Sequence, residues 1–194
     1  MNAARLEAFS DGVIAVIITI MALELRAPEG GSALSALSPL LPVFSSYIIS
    51  FVVLGIYWNN HHHLLRATKE INARIMWANL HLLFWLSLIP FATAWLGKNP
   101  GQVWPTAVYG FVLFMPGFAF SLLVGAIIAH HGKDSAIATA IGSDFKGKLS
   151  LVLYLTAIGL AFFYPWASHV LYGLVALIWF IPDRRAEAAA KEER

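Results

Sequence analysis

Apolar residues fall in six long runs separated by short polar or Gly/Pro-rich gaps, and this alternation dominates the chain. The runs cover about 4–25, 41–63, 75–96, 105–130, 148–163 and 166–181. A helix rises about 1.5 Å per residue, so roughly 20 apolar residues cross about 30 Å of hydrocarbon. The first four runs meet that length, and the last two are shorter. Ala27-Pro28-Glu29-Gly30-Gly31 and Gly97-Lys98-Asn99-Pro100-Gly101 break the chain after the first and third runs. Pro165 and the charges on both flanks favour two tightly turned spans at the end over one re-entrant pair. Ser32 to Leu37 is expected to form a short interfacial helix. With no internal repeat visible, an inverted-repeat transporter is disfavoured. The expected fold is an all-α integral membrane protein of six transmembrane helices. Residues 1–194 are expected to form a single transmembrane domain with no separate soluble domain, ending in a short charged cytoplasmic tail at 183–194.

Composition agrees with that pattern. The chain is 59% hydrophobic and 12% charged, with a mean hydropathy of +0.70, whereas a soluble domain carries about 25% charged residues. A net charge of +2 without a basic patch excludes a nucleic-acid surface. The absence of cysteine removes disulfides, thiolate metal sites and cysteine nucleophiles. The first run contains Asp11, is flanked by Arg5 and lacks a following cleavage site, so it is expected to be a retained helix.

Charge placement sets the expected orientation. With the N-terminus cytoplasmic, that side receives Arg5, Arg66, Lys69, Arg74, Lys133, Lys146, Lys148, Arg184, Arg185, Lys191 and Arg194, and the outer side only Arg26 and Lys98. Eleven against two places both termini inside and requires an even number of spans.

Some polar residues do not belong in lipid. Asp11 lies about seven residues into the first run, where an ionisable group costs about 2.5–3.5 kcal/mol or more unless it is paired or faces a cavity. Trp58-Asn59-Asn60-His61-His62-His63 closes the second run, and Asn79 and His81 open the third. The alternating direction of the helices brings these groups to the cytoplasmic leaflet. There Ser10 and Asp11 can meet Trp58, a histidine and Asn79 in one buried network. The alternative for His61 to His63 is a wet, interfacial helix end. Consecutive helical residues point about 100° apart, so three histidines in a row cannot converge on one ion, and no metal site is expected. A nucleophile elbow and a phosphate-cradling glycine loop are both missing from the sequence, so no enzyme is expected.

Arg5-Leu6-Glu7-Ala8-Phe9-Ser10-Asp11-Gly12 at the head of an apolar helix resembles the Arg-x-x-x-Phe-Ser-Asp signature of the transmembrane protein 175 family of potassium channels. Tyr47-Ile48-Ile49-Ser50-Phe51 and Trp58-Asn59-Asn60-His61-His62 are similar to that family's second-helix stretches, and Asn79 and Pro90-Phe91 continue the likeness on the third. The resemblance covers residues 5 to 91; the later helices match in number and hydropathy. Animal members carry two six-helix repeats in one chain. This chain carries one and so resembles the prokaryotic members, which are tetramers with the first helix lining a central pore. The resemblance implies a homotetrameric, potassium-permeable cation channel in the cell membrane (plasma or inner) of a prokaryote, conducting down the electrochemical gradient. It assigns the constriction to Val16, Ile20 and Leu23, which lie five, nine and twelve residues after Asp11. Arg5, Phe9, Ser10, Asp11, Trp58, His61, His62 and Asn79 would form the motif network.

Helical projection can be set beside that implication. With Val16 at zero, Gly12, Thr19, Ile20 and Leu23 fall at about −40°, −60°, +40° and −20°, and Asp11 about 140° away. The stripe would line the conduction path while the motif locks the helix into its subunit. Thr19 adds a hydroxyl beside the stripe, and Glu24, at about +80°, is placed at the outer vestibule. With no Thr-Val-Gly-Tyr-Gly loop in the sequence, selectivity has to come from the width and dehydration cost of an aliphatic tube. No cofactor is expected beyond the permeating potassium ion. The expected partners are further copies of the chain, the bilayer, and potassium with other monovalent cations, but no nucleic acid. The alternative is a proton-permeable channel or proton-coupled transporter using Asp11 and the histidines.

Overall fold

The computed structural model describes residues 3–28, 34–68, 70–132, 135, 138–139 and 144–180, and every regular element among them is helical. The helices are α1 (Ala3–Leu23), α2 (Leu41–Ala67), α3 (Ala73–Ser87), α4 (Ile89–Lys98), α5 (Val103–His131), α6 (Phe145–Leu160) and α7 (Pro165–Phe180). A 3-10 helix, Leu34–Leu40, leads into α2 where a short interfacial helix is expected; Ser32 and Ala33 lie outside the described residues, as does the tail at 183–194.

The third apolar run is two helices rather than one. Leu88 ends α3 and caps α4. Pro90 causes the break, because its nitrogen carries no proton for the Leu86 carbonyl and its ring crowds that oxygen. Together α3 and α4 make one apolar segment, so the six apolar runs correspond to seven helices among the described residues. Four stretches, Ala3–Leu23, Leu34–Ala67, Ala73–Lys98 and Val103–His131, are long and apolar enough to cross a membrane. Helices α6 and α7 have 16 residues each, about 24 Å, and Ser168 Oγ donates to the Ala157 carbonyl at 2.7 Å across their tight turn.

Helix α5 is the hub, packing against α3, α4, α6 and α7, whereas α1 packs on α2, α3 and α4. Lipid tails give little hydrophobic drive for helix association, so close packing depends on small residues at the crossings. Gly97 lets α4 approach α2: a Cβ there would lie 2.8 Å from both Val43 Cα and Ser46 Oγ. Gly110 does the same for α5, where a Cβ would meet the Tyr172 ring at 2.8 Å and Ile158 at 2.9 Å. Trp77, Trp104 and Trp166, near helix ends, are exposed, as amphipathic rings at an interface would be.

Candidate functional site

Helix α1 has two unlike faces. Leu6, Ser10, Ile14, Ile17 and Met21 recur every three or four residues and are buried against the subunit. On another face Phe9, Val16, Ile20 and Leu23 are 52%, 55%, 48% and 80% exposed, and Gly12 and Thr19 are exposed beside them. A groove of about 810 Å³ runs along this face, between α1 and the α3/α4 break, with Pro90 and Phe91 on its far wall. A Cβ on Gly12 would meet nothing within 4 Å, so the space above it is open. Thr19 Oγ1 donates its proton to the Val16 carbonyl at 2.8 Å. The hydroxyl therefore has only acceptor lone pairs left to offer the exposed face, which suits it to a cation.

A hydrogen-bonded chain fixes the buried face. Ser10 Oγ donates to the Leu6 carbonyl at 2.8 Å and accepts from Asn79 Nδ2 at 2.9 Å. With its amide nitrogen committed, Asn79 presents Oδ1 to His61 Nε2 at 2.6 Å. That bond requires the proton on Nε2, so it selects one tautomer of a neutral imidazole and leaves Nδ1 without a partner. Ser10, His61 and Asn79 are fully buried, so α1, α2 and α3 are joined at a point closed to water.

Asp11 belongs to a second, more open layer. Its Oδ1 accepts from Trp58 Nε1 at 3.1 Å, and the Trp58 ring stacks on His62 with centroids 6.0 Å apart. His62 Nδ1 lies 2.8 Å from Glu7 Oε1. Two branches therefore replace the single network expected from the sequence. Asn79 bonds to Ser10, not Asp11, and Asp11 is half-buried. Arg5 is exposed with no described partner, and Phe9 lies on the open stripe away from both branches. His81 accepts from Trp85 at 2.9 Å instead of joining either branch.

At the other end of α1, Glu24 borders the groove and takes Lys98 Nζ at 3.3 Å. Sequence reasoning placed Glu24 there but missed Lys98, which arrives on the last turn of α4. It also quoted Ser50 without a role. Thr93 Oγ1 donates to the Ile89 carbonyl at 2.7 Å, so Ser50 must donate to Thr93 at 2.7 Å, and Tyr109 must donate to Ser50 at 2.9 Å. This proton order ties α5 and α2 to the first turn of α4, next to Pro90. The signal available in the sequence was hydroxyls at 50, 93 and 109 inside apolar runs.

Comparisons with known proteins follow the same residues. A family model described as endosomal/lysosomal potassium channel TMEM175 matches residues 5–90, which include every member of both branches. A protein named as a potassium channel from Chryseobacterium sp. (strain P1-3) is 52% identical over 192 residues, covering 99% of this chain and 100% of its own. The crystal structure of a TMEM175 homologue from Chamaesiphon minutus, described as a lysosomal potassium-selective channel, superposes with a TM-score of 0.81 at 27% identity, covering 92% of this chain and 96% of the other. The human protein named endosomal/lysosomal proton channel TMEM175 is 35% identical over 82 residues, 34% of this chain and 16% of its own. With near-complete mutual coverage at that identity and the motif residues bonded to one another, the chain is a multi-pass membrane protein belonging to the TMEM175 family of ion channels.

Proposed function

We propose that this protein is a potassium-permeable cation channel built from four copies of the chain, with the open face of α1 from each copy lining a central pore. The supporting observation is that face itself: an apolar stripe unpartnered within the subunit, on a helix whose opposite side is pinned by buried hydrogen bonds. Lipid could cover an apolar stripe, but Thr19 beside it and Glu24 at its end favour water and cations over acyl chains. Val16, Ile20 and Leu23 would then meet their symmetry mates in successive aliphatic rings. Such rings hold back ions through the cost of dehydration, and the Thr19 oxygens return part of the lost hydration. Glu24, shared with Lys98, belongs to the outer vestibule in this reading. The eleven-to-two charge split supports cytoplasmic termini, with 183–194 as a charged tail on a single six-helix domain in a prokaryotic cell membrane. The activity needs no cofactor and no enzymatic step.

Purified protein in liposomes should carry potassium flux, and it should elute as a tetramer in mild detergent. A stable monomer or dimer would remove the central pore.

A second reading, a proton-permeable channel using Asp11 and the histidines, is favoured by the names of animal relatives and by the titratable Glu7, Asp11 and His62 side chains gathered between α1 and α2. Vesicles given a pH gradient with no potassium on either side and a permeant anion to balance charge separate the two, since only a proton path then collapses the gradient.

A further inference from the structure

We propose that Glu7, Asp11 and His62 form a binding site for a divalent transition-metal ion, with Zn²⁺ the best-fitting species. Glu7 and Asp11 are four residues apart on α1 and so lie one above the other on its surface, and His62 reaches them from the antiparallel α2. One ligand atom from each of the three lies within 4.8 Å of the other two. Tetrahedral bonds of about 2.0–2.2 Å place neighbouring ligand atoms about 3.3–3.6 Å apart, so small side-chain rotations that open the short Glu7–His62 edge and draw in the longer ones would seat an ion. The expectation of no metal site rested on three adjacent histidines being unable to converge. Here only the middle one is used, and the other ligands come from a different helix.

A second observation concerns the lone pair of the histidine. His62 Nδ1 is closed to solvent and lies 2.8 Å from Glu7 Oε1, yet it makes no well-aligned hydrogen bond among the described residues. An imidazole nitrogen closed to solvent and gathered this closely with two carboxylates makes a donor set that one shared cation would satisfy. The donor set is one imidazole and two carboxylates, all three half-buried. It suits zinc and its transition-metal neighbours better than magnesium or calcium, which favour all-oxygen shells. Trp58 Nε1 donates to Asp11 Oδ1 at 3.1 Å and so orients one ligand from behind, as outer partners do in metal sites. On the reading of α1 as the pore helix, an ion held here fastens that helix to α2 beside the buried Ser10, Asn79 and His61 chain.

Binding is tested in detergent, independently of conduction, by titrating ZnCl₂ into the purified full-length protein in a calorimeter and following thermal unfolding. Co²⁺ in place of Zn²⁺ should give the visible absorption of a low-coordinate nitrogen and oxygen site. Wild type should show saturable binding and a raised Tm. Glu7→Gln and His62→Gln should each weaken binding by at least about tenfold, since loss of a ligand costs no less than loss of an outer partner. His130 lies 3.7 Å from Glu70 and is a competing place for zinc, so His130→Gln serves as the control and should leave the affinity in place. Absence of saturable binding overturns the proposal, as does affinity retained in both Glu7→Gln and His62→Gln or lost only in His130→Gln. If His62→Gln fails to fold, Glu7→Gln with the cobalt spectrum decides.

Discussion

Asn79 Nδ2 donates to Ser10 Oγ at 2.9 Å, and both side chains are shut away from water between α1 and α3. Because Asn79 also serves His61, one amide satisfies two other helices. Asn79→Ala leaves His61 Nε2 without an acceptor, at about 1–3 kcal/mol, and removes the donor to Ser10, which keeps its bond to the Leu6 carbonyl. Asp11→Ala orphans only the indole nitrogen of Trp58, a residue 45% exposed and within reach of water. Both substitutions should lower thermal stability or tetramer recovery by size exclusion, Asn79→Ala more than Asp11→Ala. A normally assembled Asp11→Ala channel with altered ion selectivity would instead place Asp11 on the conduction path.

With α1 lining the pore as proposed, Ile20→Asn and Leu23→Asn should wet a constriction there, raising flux and lowering discrimination between potassium and sodium. Thr19→Val keeps the shape but removes the outward lone pairs, so its discrimination should fall without a gain in flux. Reversal potentials in mixed potassium and sodium solutions measure the discrimination of all three, and single-channel conductance measures their flux. Currents unchanged in every variant would move the constriction off α1.

Glu24 and Lys98 should act with opposite signs. Glu24→Gln removes a carboxylate that concentrates cations, so conductance should fall at low salt. Lys98→Gln frees the same carboxylate from its 3.3 Å partner and should raise it. Both effects should shrink near 1 M salt, where the screening length is about 3 Å. Single-channel conductance across a salt series checks this, and a salt-independent change would indicate a folding effect.

Glycine substitutions should separate packing within a subunit from packing between subunits. Gly110→Ala drives a methyl into Tyr172 and Ile158 and should cost about 1–3 kcal/mol in thermal unfolding. Gly12→Ala meets nothing in its own subunit, so its effect should appear in tetramer assembly or conductance while the subunit's helical content stays intact. Equal losses of helical structure in the two variants would contradict this division.

The sequence by itself determined the six apolar helical runs, because a bilayer requires each crossing segment to satisfy its backbone internally and to be apolar along its length. Ser10, Trp58, His61 and Asn79 were also legible as polar residues that lipid would not tolerate unpartnered, and helix direction brought them to one end. The break at Leu88 was within reach through Pro90, yet hydropathy averages across a proline and hides it. Tertiary structure alone decided who pairs with whom. Ser10 and Asp11 are neighbours in sequence but about 100° apart on the helix, so the relative rotation and register of α1, α2 and α3 sent one to Asn79 and the other to Trp58. Lys98 reached Glu24, and His62 reached Glu7, for the same reason. Periodicity is a property of one helix, whereas a contact depends on the offset between two, and no run of residues encodes that offset locally.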